Sequence, residues 1–193
     1  MKNDIILAGV GGQGILTIAT IVGQAAVSRA LRVKQSEVHG MAQRGGAVVA
    51  HLRLSSALIY SDLIAPGTAD VVLSVEPMEA LRQAYNLRAG GVLLANTEAV
   101  RNIADYPDEA ALLGELRSLP RSLVLDAGAM AKACGSARAM NIVMLGALSP
   151  FLDLPEEVLT ETIRQTFARK GDDVVTANLR AFAAGRAAAA AVL

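Results

Sequence analysis

Short apolar runs recur at residues 4–9, 33–38, 47–54, 71–75, 91–95 and 123–126. Each has strand length, and most meet glycine or polar residues at their ends, so six strands are predicted. Helical periodicity falls between many of them, over residues 13–30, 77–88, 109–118 and 139–150, and from Pro155 onward two helices are separated near Gly171. This alternation predicts an α/β class, a Rossmann-like three-layer fold with a mainly parallel sheet and a helical C-terminal third. Val71-Val72-Leu73 and Val92-Leu93-Leu94 lack polar alternation, as expected for strands covered on both faces. One piece breaks the rhythm. The run 47–54 is followed, after Ser55-Ser56, by Ala57-Leu58-Ile59-Tyr60, a spacing that predicts an antiparallel hairpin.

The helix over 13–30 has an unusual outer face. No charged residue lies between Asp4 and Arg29, and Thr17, Thr20, Gln24 and Ser28 form a polar stripe at spacings of three and four. A solvated helix face normally carries Lys and Glu. Both faces are therefore expected to be covered, one by the sheet and the other by a partner. A second charge-free stretch, 139–152, contains Asn141 near its start and is read the same way. A buried Asn must be hydrogen-bonded, so Asn141 is expected to tie its helix to the glycine turn described next or to the partner.

That turn, Gly9-Val10-Gly11-Gly12-Gln13-Gly14, stands between the first strand and the uncharged helix. In this context backbone amides can face a phosphate or another anion, and Gly9, Gly11, Gly12, Gln13 and Gly14 are candidate cofactor-binding residues. A tight turn that only packs helix against strand explains the same glycines. Glu37 is a poor match for the ribose-binding acid of a dinucleotide site, because Arg32-Val33-Lys34-Gln35-Ser36 precedes it.

Composition narrows the classes. The 193 residues are 53% hydrophobic and 19% charged, which suits one folded domain over 1–193 and excludes a disordered chain. Eighteen basic and eighteen acidic residues cancel, aromatics are 3%, and Trp is absent, so neither nucleic acid nor membrane is an expected partner. The N-terminus shows no secretory pattern and the Ala-rich end is too short to span a bilayer. The lone Cys134 excludes an internal disulfide. A cytoplasmic location is expected.

The most specific string is Ser36-Glu37-Val38-His39-Gly40-Met41-Ala42-Gln43-Arg44-Gly45-Gly46. Its polar side chains sit between glycines directly after a strand, where α/β sheets place ligands and partners. Arg44 offers a fork of donors to carboxylate or phosphate and is a candidate for cofactor binding. Glu37 and His39 point the same way from an extended chain. They suit either an acid–base pair or hydrogen bonds across an interface. With Gln43, Arg44, Gly45 and Asn141 they form the expected interface or active-site-shaping set.

The glycine turn, the string Glu37-Val38-His39-Gly40 with Ala42-Gln43-Arg44-Gly45-Gly46, and Asn141-Ile142-Val143-Met144-Leu145-Gly146-Ala147 together resemble the gamma domain of 2-oxoacid:ferredoxin oxidoreductases. The resemblance covers almost the whole chain. It implies a non-catalytic subunit of a complex that oxidatively decarboxylates an aryl 2-oxoacid, with coenzyme A accepting the acyl group and ferredoxin the electrons. It also places thiamine diphosphate, Mg2+ and the iron–sulfur clusters in a large catalytic subunit.

The residue inventory agrees with that division. A cluster needs four thiolates and the chain has one Cys; Cys134, His39 and His51 lack zinc spacing. No Gly-Asp-Gly string suits a metal–diphosphate, and Gly171-Asp172-Asp173 reads as a helix start. A stand-alone protein that binds a dinucleotide or coenzyme A is the alternative. Among the remaining residues, His51 and Arg53 share one strand face, expected to be solvated rather than a site. Asp126 is expected to cap the helix that follows it, and Cys134 to sit inert where that helix ends. Met130, Met140 and Met144 read as core filling.

Overall fold

The computed structural model describes residues 1–39 and 45–192, without the side chains of His39 and Ala191. Six strands, β1 (Lys2–Val10), β2 (Arg32–His39), β3 (Ala47–Ser55), β4 (Ala69–Ser74), β5 (Leu87–Asn96) and β6 (Ser122–Leu125), form one sheet. Its order is β2-β3-β1-β4-β5-β6. β1, β4, β5 and β6 run parallel, whereas β3 is antiparallel to both β1 and β2. A hairpin thus sits in the sheet, but with a different second arm from the one the spacing suggested. β3 pairs back onto β2, and residues 57–60 form no strand. Ser55 ends β3, and the chain then continues over the sheet as an irregular segment.

The helices are α1 (Ile15–Ser28), α2 (Pro77–Gln83), α3 (Glu109–Ser118), α4 (Ala127–Ala133), α5 (Met140–Leu148), α6 (Glu156–Phe167) and α7 (Asp172–Ala188). Strand alternation sends Ile5, Leu7, Leu73 and Leu94 to one face, where they pack with α1, α4, α5, α6 and α7. Ile6, Val72, Leu93 and Ala95 face the other way with residues of α2 and α3. Val71, Val72, Leu73, Val92, Leu93 and Leu94 are all buried, as two-sided coverage requires.

Two expectations change here. The helix over 77–88 stops at Gln83, and β5 begins at Leu87; Leu87–Gly90 are partly or fully exposed, so no apolar run marked them as strand. More consequentially, α5 is buried from Ile142 to Leu148 within this chain, against α7 and α4. Its lack of charge reflects a central core position between Ile142 and Leu148.

The segment 56–68 is held across the β3 face by the two residues read as solvated. Arg53 pairs with Asp4 through Nε to Oδ1 at 2.7 Å and Nη2 to Oδ2 at 3.0 Å, and its Nη1 donates to the carbonyls of Ser61 and Leu63. His51 Nδ1 accepts the Ile64 amide at 3.0 Å. Both side chains are half-buried structural fasteners. Met144 is buried, and Met130 and Met140 pack on the same core.

Candidate functional site at the C-terminal edge of the sheet

β1, β4, β5 and β6 all end at one edge, and the loops leaving them meet there. The glycine turn leaves β1 and opens α1. Gly14 caps the helix with φ 80° and ψ 24°, a left-handed conformation that costs a residue with Cβ about 1–2 kcal/mol. Added space is also missing: a Cβ at Gly14 would lie 2.6 Å from Asn141 Nδ2, and one at Gly9 would lie 2.4 Å from Val75 Cγ2. These close approaches are those of a turn that packs helix against strand. Gly11 and Gly12 are exposed at the tip.

Gln13 is committed to the scaffold. Its Oε1 accepts the Val10 amide at 2.8 Å and its Nε2 donates to the Val75 carbonyl at 3.2 Å. Asn96 at the end of β5 donates to the same carbonyl, also at 3.2 Å, and accepts the Ala127 amide at 3.0 Å. These two side-chain amides stitch β1, β4, β5 and the start of α4 into one edge. Asp126 caps α4 by accepting the Ala129 amide at 2.7 Å, and Cys134 ends that helix. Asn141 Nδ2 donates to the Gly14 carbonyl at 3.2 Å, which is the expected tie between α5 and the turn.

Gly45, with φ 76°, and Gly46 approach the turn from the start of β3. The Gly11 amide donates to the Gly46 carbonyl at 3.0 Å. Gln43 and Arg44 lie outside the described residues. The backbone of His39 ends β2 opposite Val48, which in turn lies opposite Gly9. Glu37 is two residues lower on the edge strand, opposite Ala50, and accepts from Gln35 Nε2. The structure thus gathers Gly9, Gly11, Gly12, Gln13, Gly14, Gly45 and Asn141, and sets Glu37 a full strand away, roughly 10 Å from β1. The strand beside β1 on that side runs the opposite way, so Glu37 does not take the place of the ribose-binding acid of a dinucleotide fold.

Sequence reasoning missed the segment 97–108 and its anchor Glu76. Glu76 is 0% exposed; its Oε2 caps α2 by accepting the Glu79 amide at 2.8 Å. Its Oε1 accepts the Val100 amide at 3.3 Å and the Tyr106 hydroxyl. Burial, then the Glu76 carboxylate, pushes the Tyr106 phenol well above its usual range. Burial also raises Glu79, although its ion pair with Arg82 at 2.7 Å opposes that. The available signal was Glu76 before Pro77, with Tyr106 one of three tyrosines in the chain.

The uncharged stripe on α1 is open. Thr20, Gln24 and Ser28 separate two grooves, of about 520 Å³ against β2 and about 490 Å³ against α6. Val27 beside them is 62% exposed. Among the described residues no group of His, Cys, Asp and Glu suits a metal ion, and no helix is long and apolar enough to cross a membrane.

A mainly parallel sheet with a glycine turn at its C-terminal edge defines a Rossmann-like α/β domain whose strand-end loops gather at that edge. Its lineage is specific: the chain belongs to the pyruvate ferredoxin/flavodoxin oxidoreductase family, whose profile matches residues 4–188. It is 38% identical over 194 residues to indolepyruvate oxidoreductase subunit IorB of Archaeoglobus fulgidus, covering 96% of this chain and 94% of that one. The subunit IorB of Thermococcus kodakarensis is also 38% identical, over 202 residues, covering 100% and 98%. Among solved structures, 2-oxoglutarate:ferredoxin oxidoreductase from Magnetococcus marinus with 2-oxoglutarate, coenzyme A and succinyl-CoA bound superposes with a TM-score of 0.78 at 25% identity. That match covers all of this chain and 32% of the longer one, so the domain is there part of a larger polypeptide.

Proposed function

We propose that this chain, one gamma-type domain over 1–193, is the small subunit of a cytoplasmic, heteromeric indolepyruvate:ferredoxin oxidoreductase. The complex decarboxylates an aryl 2-oxoacid oxidatively, passes the acyl group to coenzyme A and delivers electrons to ferredoxin. The end-to-end similarity to separate IorB subunits carries this reading. One Cys in 193 residues does not fit a four-thiolate cluster, so the iron–sulfur centres, with thiamine diphosphate and Mg2+, are assigned to the large catalytic subunit.

The residues of this chain then shape and present a surface. The glycine turn and the Gly45–Gly46 segment, with Glu37, His39, Gln43 and Arg44 preceding the latter in sequence, border the active-site entrance. Arg44 and the exposed tip of the turn are the groups offered to the phosphates of coenzyme A. The uncharged α1 ridge meets the large subunit.

Co-expression with the large subunit tests this. The purified complex is expected to reduce ferredoxin with indolepyruvate in a coenzyme A-dependent reaction, and the isolated chain to be inactive. Turnover by the chain alone would overturn the assignment. Arg44→Ala is expected to slow the complex; unchanged rates would reduce that loop to scaffold. Micromolar binding of a dinucleotide to the isolated chain would instead favour a stand-alone role.

A further inference from the structure

Residues 97–108 belong to no sequence motif, yet they cross the open edge of the sheet as a strap. The strap leaves β5 after Asn96 and ends at Asp108, which caps α3 by accepting the Ala111 amide at 2.9 Å. Glu76 clasps it from below. Capping α2 needs only Oε2, whereas Oε1 is given wholly to the strap through Val100 N and the Tyr106 hydroxyl. A fully buried carboxylate is costly unless its lone pairs are used. Here three donors use them.

The middle of the strap reaches the opposite side of the edge. Asn102 Nδ2 donates to the Gly45 carbonyl, and the next carbonyl, Gly46, accepts the Gly11 amide at 3.0 Å. The circuit closes beneath: the Val75 carbonyl, one residue before Glu76, accepts from Gln13 Nε2. Glycine turn, Gly45–Gly46 segment and strap are therefore joined in a ring. Asn102 thus ties the Gly45 carbonyl to the strap's side of the edge.

We infer that Tyr106, Glu76 and Asn102 are positioning residues: clasped on Glu76, the strap fixes the Gly45–Gly46 segment against the glycine turn and so sets the surface that shapes the reaction. The part of this concerning activity rests on the function proposed above.

Amide hydrogen exchange on the full chain tests the ring without a partner. Tyr106→Phe and Asn102→Ala are each expected to speed exchange of the Gly11 amide by about tenfold or more, with a thermal midpoint near that of the parent. Arg101→Ala, which breaks only the exposed pair with Glu109, should leave Gly11 unchanged. Acceleration confined to 97–108, or an equal response to Arg101→Ala, overturns the inference. If Tyr106→Phe does not fold, the exposed Asn102 carries the test. In the co-expressed complex both variants are expected to raise KM for the 2-oxoacid or coenzyme A several-fold while kcat stays within about twofold; unchanged KM overturns the positioning role. A parent complex that turns over no 2-oxoacid counts against the proposed function, and the exchange comparison still decides the ring.

Discussion

Asn141 and Gly14, 127 positions apart in sequence, meet through a single hydrogen bond of 3.2 Å from the side-chain amide to the backbone carbonyl. The contact joins the start of α5 to the cap of α1, and the same carbonyl also accepts the Thr17 amide. Asn141→Ala is expected to destabilise the chain by about 1 kcal/mol. Gly14→Ala should cost more, about 2–3 kcal/mol, from left-handed strain and collision with Asn141. In the double variant the collision is relieved, so the losses should sum to less than the two single effects in chemical denaturation. Strict additivity would show that the two residues do not communicate.

Gln13→Ala removes the partner of the Val10 amide and one of two donors to Val75. An unsatisfied group at this edge costs about 1–3 kcal/mol, and the Val10 amide should lose protection from exchange. Gln13→Glu can still accept from Val10 but cannot donate to Val75. It should therefore restore Val10 protection only; full recovery of stability would contradict this geometry.

α5 and α7 cross at two glycines. A Cβ on Gly146 would lie 2.0 Å from the Phe182 carbonyl oxygen, and one on Gly185 would lie 1.8 Å from that of Val143. Alanine ordinarily favours a helix by about 1 kcal/mol over glycine. Here backbone must move, so Gly185→Ala should lower stability by about 1–3 kcal/mol, visible in the denaturation midpoint. A stabilised variant would mean the helices are further apart than described.

Acid should weaken the fastening of 56–68 in two stages. Burial, then Arg53, lowers the pKa of His51, so the folded chain favours neutral imidazole, as Nδ1 acceptance from Ile64 requires. Its contribution is complete above the ordinary value of 6.5 and is lost as pH falls from there towards the lowered folded value. For Asp4, burial raises the pKa, but Arg53 and Lys2 outweigh it and the net shift is downward. That contribution is present above 3.8 and disappears at lower pH. Denaturation midpoints across this range should show both losses, and His51→Gln should remove the upper one.

Most strands and helices were legible because apolar period and length identify them locally, but the exposed start of β5 was not, and the apolar run 57–60 forms no strand. Sheet order was not. Nothing in the run 47–54 says that it inserts between β1 and β2, since that depends on pairing at long range. Asn141 was readable as a polar group needing a partner, and it has one. The same reasoning misjudged α5, because absence of charge marks an interface and an ordinary core equally well. The strap was invisible for a different reason: its role lies in Glu76, a residue that sequence context presents only as a helix cap.

The open ridge of α1 has one more outcome. Thr20, Gln24, Ser28 and Val27 bring no ionic group to whatever rests on them, so adhesion there has no Coulombic part for dissolved ions to screen. Subunits held through this ridge should remain together in concentrated sodium chloride, grip harder in sulfate, and part in guanidinium.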